Sequence, residues 1–162
     1  MSISSWNCRG LGDSRAVLML TKMVRDEAPL LVFLAETKVD ISFMKKVQAK
    51  LEYTQGVIVP SDGRSGGLAM MWKEGSHVEV HKYSHSHIDV IIFDHETNLQ
   101  WRATGFYGHL DSQQRHISRK LLERLNTQLS LPWTVFGDFN KITYLDEKCG
   151  GVERSADQMQ AF

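Results

Sequence analysis

The chain has 162 residues, 42% hydrophobic and 23% charged, with 19 basic and 19 acidic side chains and zero formal net charge. That is enough apolar material for one domain with a core, and it excludes global disorder. It also excludes a protein that holds nucleic acid by bulk electrostatics, which needs many Lys and Arg contacts to phosphate. An enzyme whose acidic site cancels its basic residues in the sum remains open.

Residues 2–7 read as a strand entering the loop Arg9-Gly10-Leu11-Gly12. Asp13 or Ser14 is placed to cap a helix to about Glu27, with Val17, Leu20 and Val24 on one face. Pro29 ends that connection, and Leu30–Ala35 is a continuous apolar run of buried-strand type. Ile41–Leu51 reads as a second helix with Lys45, Lys46 and Lys50 towards solvent. The pattern then turns to period two, giving strands at Gly56–Pro60, Gly67–Trp72, His77–Tyr83, Ile88–Phe93 and Leu99–Tyr107. Asp111 or Ser112 starts a helix through Leu129, with Ile117, Leu121 and Leu125 as its apolar stripe. Pro132 breaks it, and Trp133–Phe136 is another buried-strand candidate. A polar segment, Glu147–Ser155, leads to the start of a helix at Asp157–Phe162. The order predicts a single α/β domain over 1–162 with a mainly antiparallel or mixed sheet. No dinucleotide fingerprint or P-loop is present.

Chemistry-bearing residues collect at strand ends, where scaffolds display function. Glu36 follows one apolar run and Asp138 another; a carboxylate in such a place is costly unless paired or metal-bound. If the two strands lay side by side, both acids would reach one sheet edge and suit Mg²⁺, which takes one or two carboxylates and keeps water and phosphate in its other positions. Each acid also suits the plainer role of capping the next turn. Asn7 and Asn140 can orient an acid or hold a phosphate oxygen, or serve as turn residues. Tyr107 can donate to a phosphate, or be a half-buried aromatic. His81, His85 and His87 share a parity with Tyr83, but no further patterned ligand accompanies them, and their alternation reads as an exposed strand face. Gly63-Arg64-Ser65-Gly66-Gly67 lacks the Lys-Ser/Thr ending of a phosphate loop and reads as a turn. Arg115, Arg119, Lys120 and Arg124 give the best local basic surface, with a solvated helix face as the default.

In order, Trp6-Asn7-Cys8-Arg9-Gly10, Phe33–Lys38, Gly63–Ala69, Gly105-Phe106-Tyr107-Gly108 and Gly137-Asp138-Phe139-Asn140 resemble the endonuclease/exonuclease/phosphatase superfamily, which includes DNase I. Trp101–His109, Leu131-Pro132-Trp133 and Asp146-Glu147-Lys148 are similar to the endonuclease domain of plant-type non-LTR (LINE-like) retrotransposon proteins. The resemblance implies a DNase I-like four-layer α/β sandwich with two packed mixed sheets. It implies Mg²⁺-dependent hydrolysis of a phosphodiester, with Mn²⁺ as substitute and DNA as substrate. Glu36 would be the main metal ligand, supported by Asn7. Tyr107 would contact the phosphate, Asp138 would orient or deprotonate the attacking water, and Asn140 would stabilise developing charge. Arg9, Arg115 and Arg119 would bind nucleic acid. The family pattern continues with a further Asp and a Ser-Asp-His motif that this sequence lacks, so the resemblance implies a C-terminally truncated chain with weak or no activity. The alternative is an inactive nuclease-fold remnant that binds nucleic acid or a partner. Lys141 stands where related sequences often carry an acid.

No apolar run reaches the ~18 residues of a membrane helix, and the N-terminus lacks the basic and apolar segments of a signal peptide. Cys8 and Cys149 are far apart and form no zinc-type pair. An intracellular, reducing location is the simplest expectation, with the nucleus as the narrower one.

Overall fold

A computed structural model describes residues 2–63 and 65–140. Their contacts divide into two units, each taken by itself: described residues up to 107 with 131–137, and residues 108–130 with 138–140. The expectations at Arg64, Lys141, Asp146–Lys148, Cys149 and 157–162 lie outside the described residues.

The first unit opens with β1 (Ile3–Asn7), α1 (Ser14–Glu27), β2 (Leu31–Ala35) and α2 (Ile41–Lys50). Both helices start at an aspartate whose side chain accepts a backbone N–H: Asp13 from Arg15 at 2.9 Å, Asp40 from Phe43 at 2.7 Å. That satisfies donors a helix start leaves orphaned. Ala28 takes a left-handed conformation and returns its N–H to Val24, closing α1 just before Pro29. Five strands follow: β3 (Gln55–Asp62), β4 (Ser65–Trp72), β5 (Val78–Ser84), β6 (His87–Asp94) and β7 (Leu99–Tyr107). The last strand is β8 (Trp133–Asp138).

Two four-stranded sheets result, in the orders β1-β2-β4-β3 and β5-β6-β7-β8. In the first, β1 and β2 are parallel while β4 runs against both β2 and β3. In the second, β6 is antiparallel to β5 and β7. The Arg102 N–H meets the Pro132 carbonyl and the Gly108 N–H meets that of Asp138, so β7 and β8 advance together. Both sheets are therefore mixed.

The unbroken apolar run of β2 reflects burial on both faces. Val32 and Leu34 join Leu20 and Val24 of α1, Met44 and Val47 of α2, and Ala69 and Met71 of β4. Leu31, Phe33 and Ala35 face the other way, onto Leu68 and Met70 of β4, Ile88 and Val90 of β6, and Ala103 of β7. Within this unit the layers are helices, sheet and sheet. Phe33 meets Phe136 of β8 edge to face, ring centres 5.9 Å apart. Gly105 leaves room for Phe33, since a Cβ there would overlap the Phe33 ring. Strand β8 is half-buried rather than buried, because it borders the second sheet.

The second unit carries a short 3₁₀ turn (Ser112–Gln114), capped by Asp111, and α3 (Arg115–Asn126). Helix α3 ends before Leu129. Of the expected stripe Leu125 is buried and Leu121 half-buried, whereas Ile117 is 47% exposed and Ser118 is buried beside it. Ser118 is held inside by accepting the His109 N–H at 2.8 Å. No helix among the described residues is long and apolar enough to cross a membrane.

Candidate functional site

Glu36 is the first residue beyond β2, in a left-handed conformation (φ +54°) that few non-glycine residues adopt. Three side chains converge on it. Asn7, at the end of β1 and in register with Ala35, donates Nδ2 to Oε1 at 2.8 Å. Tyr107, at the end of β7, donates its phenol to the same oxygen at 3.0 Å. The Lys38 ammonium lies 2.9 Å from Oε2. The Glu36 side chain is only 12% exposed, and these donors offset the cost of withdrawing its charge from water. Burial pushes the carboxyl upward, but the bonds from Asn7, Lys38 and Tyr107 outweigh it and hold its pKa below the ordinary 4.5.

The loop is fixed from behind. The Thr37 and Lys38 N–H groups each donate over 3.1 Å, to the carbonyls of Gly67 and Gly66, and the Leu11 N–H donates to the Thr37 carbonyl at 2.9 Å. Thr37 is buried against Gly67, whose φ is +86° and where a Cβ would overlap the Thr37 hydroxyl. Gly66 and Gly67 lie in β4, near the end of the β3–β4 hairpin where Asp62 pairs with Ser65. These glycines also brace the Glu36 loop, which the sequence did not disclose. Asn7 Oδ1 accepts the Arg9 N–H at 3.1 Å, which fixes the amide whose nitrogen meets Glu36.

In the second unit Asp138 and Asn140 organise a separate turn. Asp138 Oδ1 accepts the Asn140 N–H at 2.8 Å, and Asn140 donates Nδ2 to the Gly108 carbonyl at 2.6 Å. Asn140 sits at φ +50°, which asparagine tolerates better than most residues. A Cβ at Gly108 would overlap the Phe139 carbonyl, so glycine is required there.

The structure brings Glu36, Asn7 and Tyr107 together. The side-by-side arrangement that would put Glu36 and Asp138 on one sheet edge is not formed: β2 and β8 belong to different sheets, with Phe33 and Phe136 in contact between the layers. Arg9 is exposed; Arg119 is exposed with Glu123 3.6 Å away, and Arg115 is half-buried. The histidines do not form one exposed face. A bulge between Val80 and Lys82 breaks the alternation at His81, and His87 is buried with Nδ1 2.7 Å from the Ser84 hydroxyl. Lys38 is the site residue that the sequence reading left unassigned; its place two residues beyond Glu36 was the available signal.

Glu36 offers hard oxygen donors, which fit Mg²⁺ or Mn²⁺ with most positions left to water, while Asn7 orients it through its amide nitrogen. Glu36 Oε1 already accepts two hydrogen bonds, so Oε2 is the corner for a cation. Among the described residues no cluster of three or more His, Cys, Asp or Glu is arranged to hold a metal.

A mixed two-sheet sandwich with a part-buried carboxylate beyond an inner strand defines the DNase I-like architecture. The chain belongs to the Endonuclease/Exonuclease/phosphatase family, whose profile matches residues 4–143. It is similar in fold to the human Nocturnin catalytic domain with bound sulfate (14% identity, TM-score 0.60, 85% of this chain and 62% of that one). It is also similar to the Bacteroides thetaiotaomicron mannosyl-6-phosphatase (13%, 0.64, 87% and 66%). An AP endonuclease from Archaeoglobus fulgidus matches at 16% and TM-score 0.67, covering 87% of this chain and 58% of that one. The chain thus spans under two thirds of each structure's length. No curated protein matches it.

Proposed function

We propose that the chain is a metal-dependent phosphodiesterase of DNA-endonuclease type, allied to the endonucleases of non-LTR retrotransposon proteins, with residues 1–162 serving one catalytic domain. The observation that carries this is Glu36 itself: a part-buried carboxylate kept ionised, held on one oxygen by Asn7 and Tyr107, with its other oxygen paired to the Lys38 ammonium. Family membership, the AP endonuclease among the fold neighbours and the retrotransposon-like motifs support DNA as the substrate.

Glu36, helped by Asn7, would hold Mg²⁺ or Mn²⁺, which when bound supplies positive charge against the phosphate oxygens. When phosphate binds, Tyr107 turns its single phenol O–H from Glu36 to a non-bridging oxygen. Asp138 takes a proton from water as the water oxygen bonds to phosphorus. The ester P–O bond then breaks, and the leaving alkoxide takes its proton from solvent. Asn140 donates to the charge that develops on phosphorus, and Arg9, Arg115 and Arg119 meet the backbone phosphates. Such catalysis is chiefly positional and electrostatic.

One observation favours a second reading, an inactive fold that binds nucleic acid or a partner. Both Glu36 oxygens already have protein partners. Nicking of supercoiled plasmid with Mg²⁺ separates the two. The proposal expects weak nicking by this chain and none by Glu36→Ala. Equal behaviour of two folded proteins, checked by circular dichroism, would favour the inactive fold.

A further inference from the structure

Lys38 has a geometry that the hydrolytic scheme leaves unused. Its backbone is pinned by the bond to Gly66, and its φ of +52° matches that of Glu36 two residues earlier. With Thr37 buried between them, the two side chains emerge on the same side of the loop, and the ammonium reaches Oε2 at 2.9 Å. Asn7 and Tyr107 both sit on the other oxygen, Oε1, so the cation and the neutral donors are segregated onto different atoms. A carboxylate oxygen holding an ammonium is poorly placed to accept a second cation, because the two positive charges would lie within a few ångströms of each other. The Lys38 side chain is 34% exposed on a flexible stem, whereas Glu36 is clamped, so Lys38 is the partner able to leave.

We propose that Lys38 is the resident counter-ion of Glu36, and that a divalent cation binds by displacing its ammonium from Oε2 while Asn7 and Tyr107 stay in place. The proposal rests on the metal-dependent reading above and adds its regulation: the lysine sets how much free metal the site needs. The released ammonium stays tethered beside the metal corner, where an incoming phosphate would meet it. Lys38 is a positioning residue in this account, acting through Glu36.

The test is Mn²⁺ and Mg²⁺ binding by calorimetry to the whole chain stripped with chelator. Wild type is compared with Lys38→Met, Lys38→Gln and Glu36→Gln, with circular dichroism on each. Removing the competing charge is expected to tighten Mn²⁺ binding about tenfold in both Lys38 variants, the scale on which a neighbouring charge commonly shifts an ionic equilibrium. A wild-type readout needs no variant fold. With lysines carbon-13 dimethylated, the Lys38 signal, assigned by its loss in Lys38→Arg, is expected to move on Mg²⁺ addition. Lys38 variants that bind no tighter than wild type, or a Lys38 signal unmoved at saturating metal, overturn the exchange. Glu36 stands as the ligand if Glu36→Gln alone loses binding. Glu36→Gln binding as wild type overturns the Glu36 reading itself.

Discussion

The phenol of Tyr107 donates to Oε1 of Glu36 over 3.0 Å, joining residues 71 apart in sequence and the two sheets of the sandwich. The bond ties the end of β7 to the loop after β2, so whatever shifts one sheet against the other disturbs the carboxylate. Tyr107→Phe should cost about 1.5–3 kcal/mol in urea denaturation, the range for a hydrogen bond to a charged group. Nicking should fall about tenfold, equivalent to ~1.4 kcal/mol of lost transition-state stabilisation.

The three donors make stability depend on acid. Glu36 has a folded pKa below its ordinary value of 4.5. Its contribution is therefore complete above the unfolded value and is lost as pH falls through the folded one. Denaturation midpoints of wild type and Glu36→Gln should converge as pH drops below the ordinary glutamate range and diverge above it. A constant gap across that range would mean the carboxylate's charge is not what the donors stabilise.

Gly67→Ala should be destabilising by about 1–3 kcal/mol, combining a left-handed backbone with overlap on the Thr37 hydroxyl. Because Gly67 and Gly66 hold the Thr37 and Lys38 N–H groups, the cost should be read in activity as well as in stability. Hydrogen exchange at those two amides is the direct measurement; faster exchange in the variant is expected.

Sheet two has its own polar centre. Arg102 meets Asp89 through Nε at 2.9 and 3.0 Å and through a terminal nitrogen at 2.8 Å, and Thr104 donates to the same carboxylate. The indole N–H of Trp133 reaches Thr104, and the guanidinium lies 4.8 Å from a Trp133 ring centre. Asp89 and Arg102 are fully buried. Asp89→Ala should therefore cost about 3–5 kcal/mol by leaving a charge stranded, and adding Arg102→Met should return part of it. Denaturant midpoints of the single and double variants check this.

Cys8 is buried and donates its thiol to the Ala35 carbonyl at 3.0 Å. Burial pushes its pKa up to about 12, so the reactive thiolate is scarce at neutral pH. Iodoacetamide should spare Cys8 in the folded chain at pH 8 and label it in urea, as read by peptide mass spectrometry.

Strand and helix identity were legible where one local pattern decides them. Asp13 and Asp40 cap their helices because a short carboxylate can reach the first free N–H groups, a relation contained within a few residues. The unbroken run of β2 announced burial on both faces. What depended on distant partners was not legible. Glu36 and Asp138 both end apolar strands, and only the sheet order shows that those strands lie in different sheets. The exposure of Ile117 at the head of the α3 stripe was not legible, and the His81 parity failed at a bulge, which the sequence around Val80 does not mark. Lys38 and Gly66-Gly67 read as ordinary loop residues until the fold brought them onto Glu36.

The account turns on the charge of Glu36, so the most direct measurement is Mg²⁺-dependent nicking by Glu36→Gln beside wild type. Glutamine keeps the length and the carbonyl that accepts from Tyr107, while removing the negative charge. Nicking by wild type that disappears in Glu36→Gln, with the two proteins equally folded, is the predicted result. Nicking retained at the wild-type rate in Glu36→Gln would contradict the claim that this carboxylate is the seat of the chemistry.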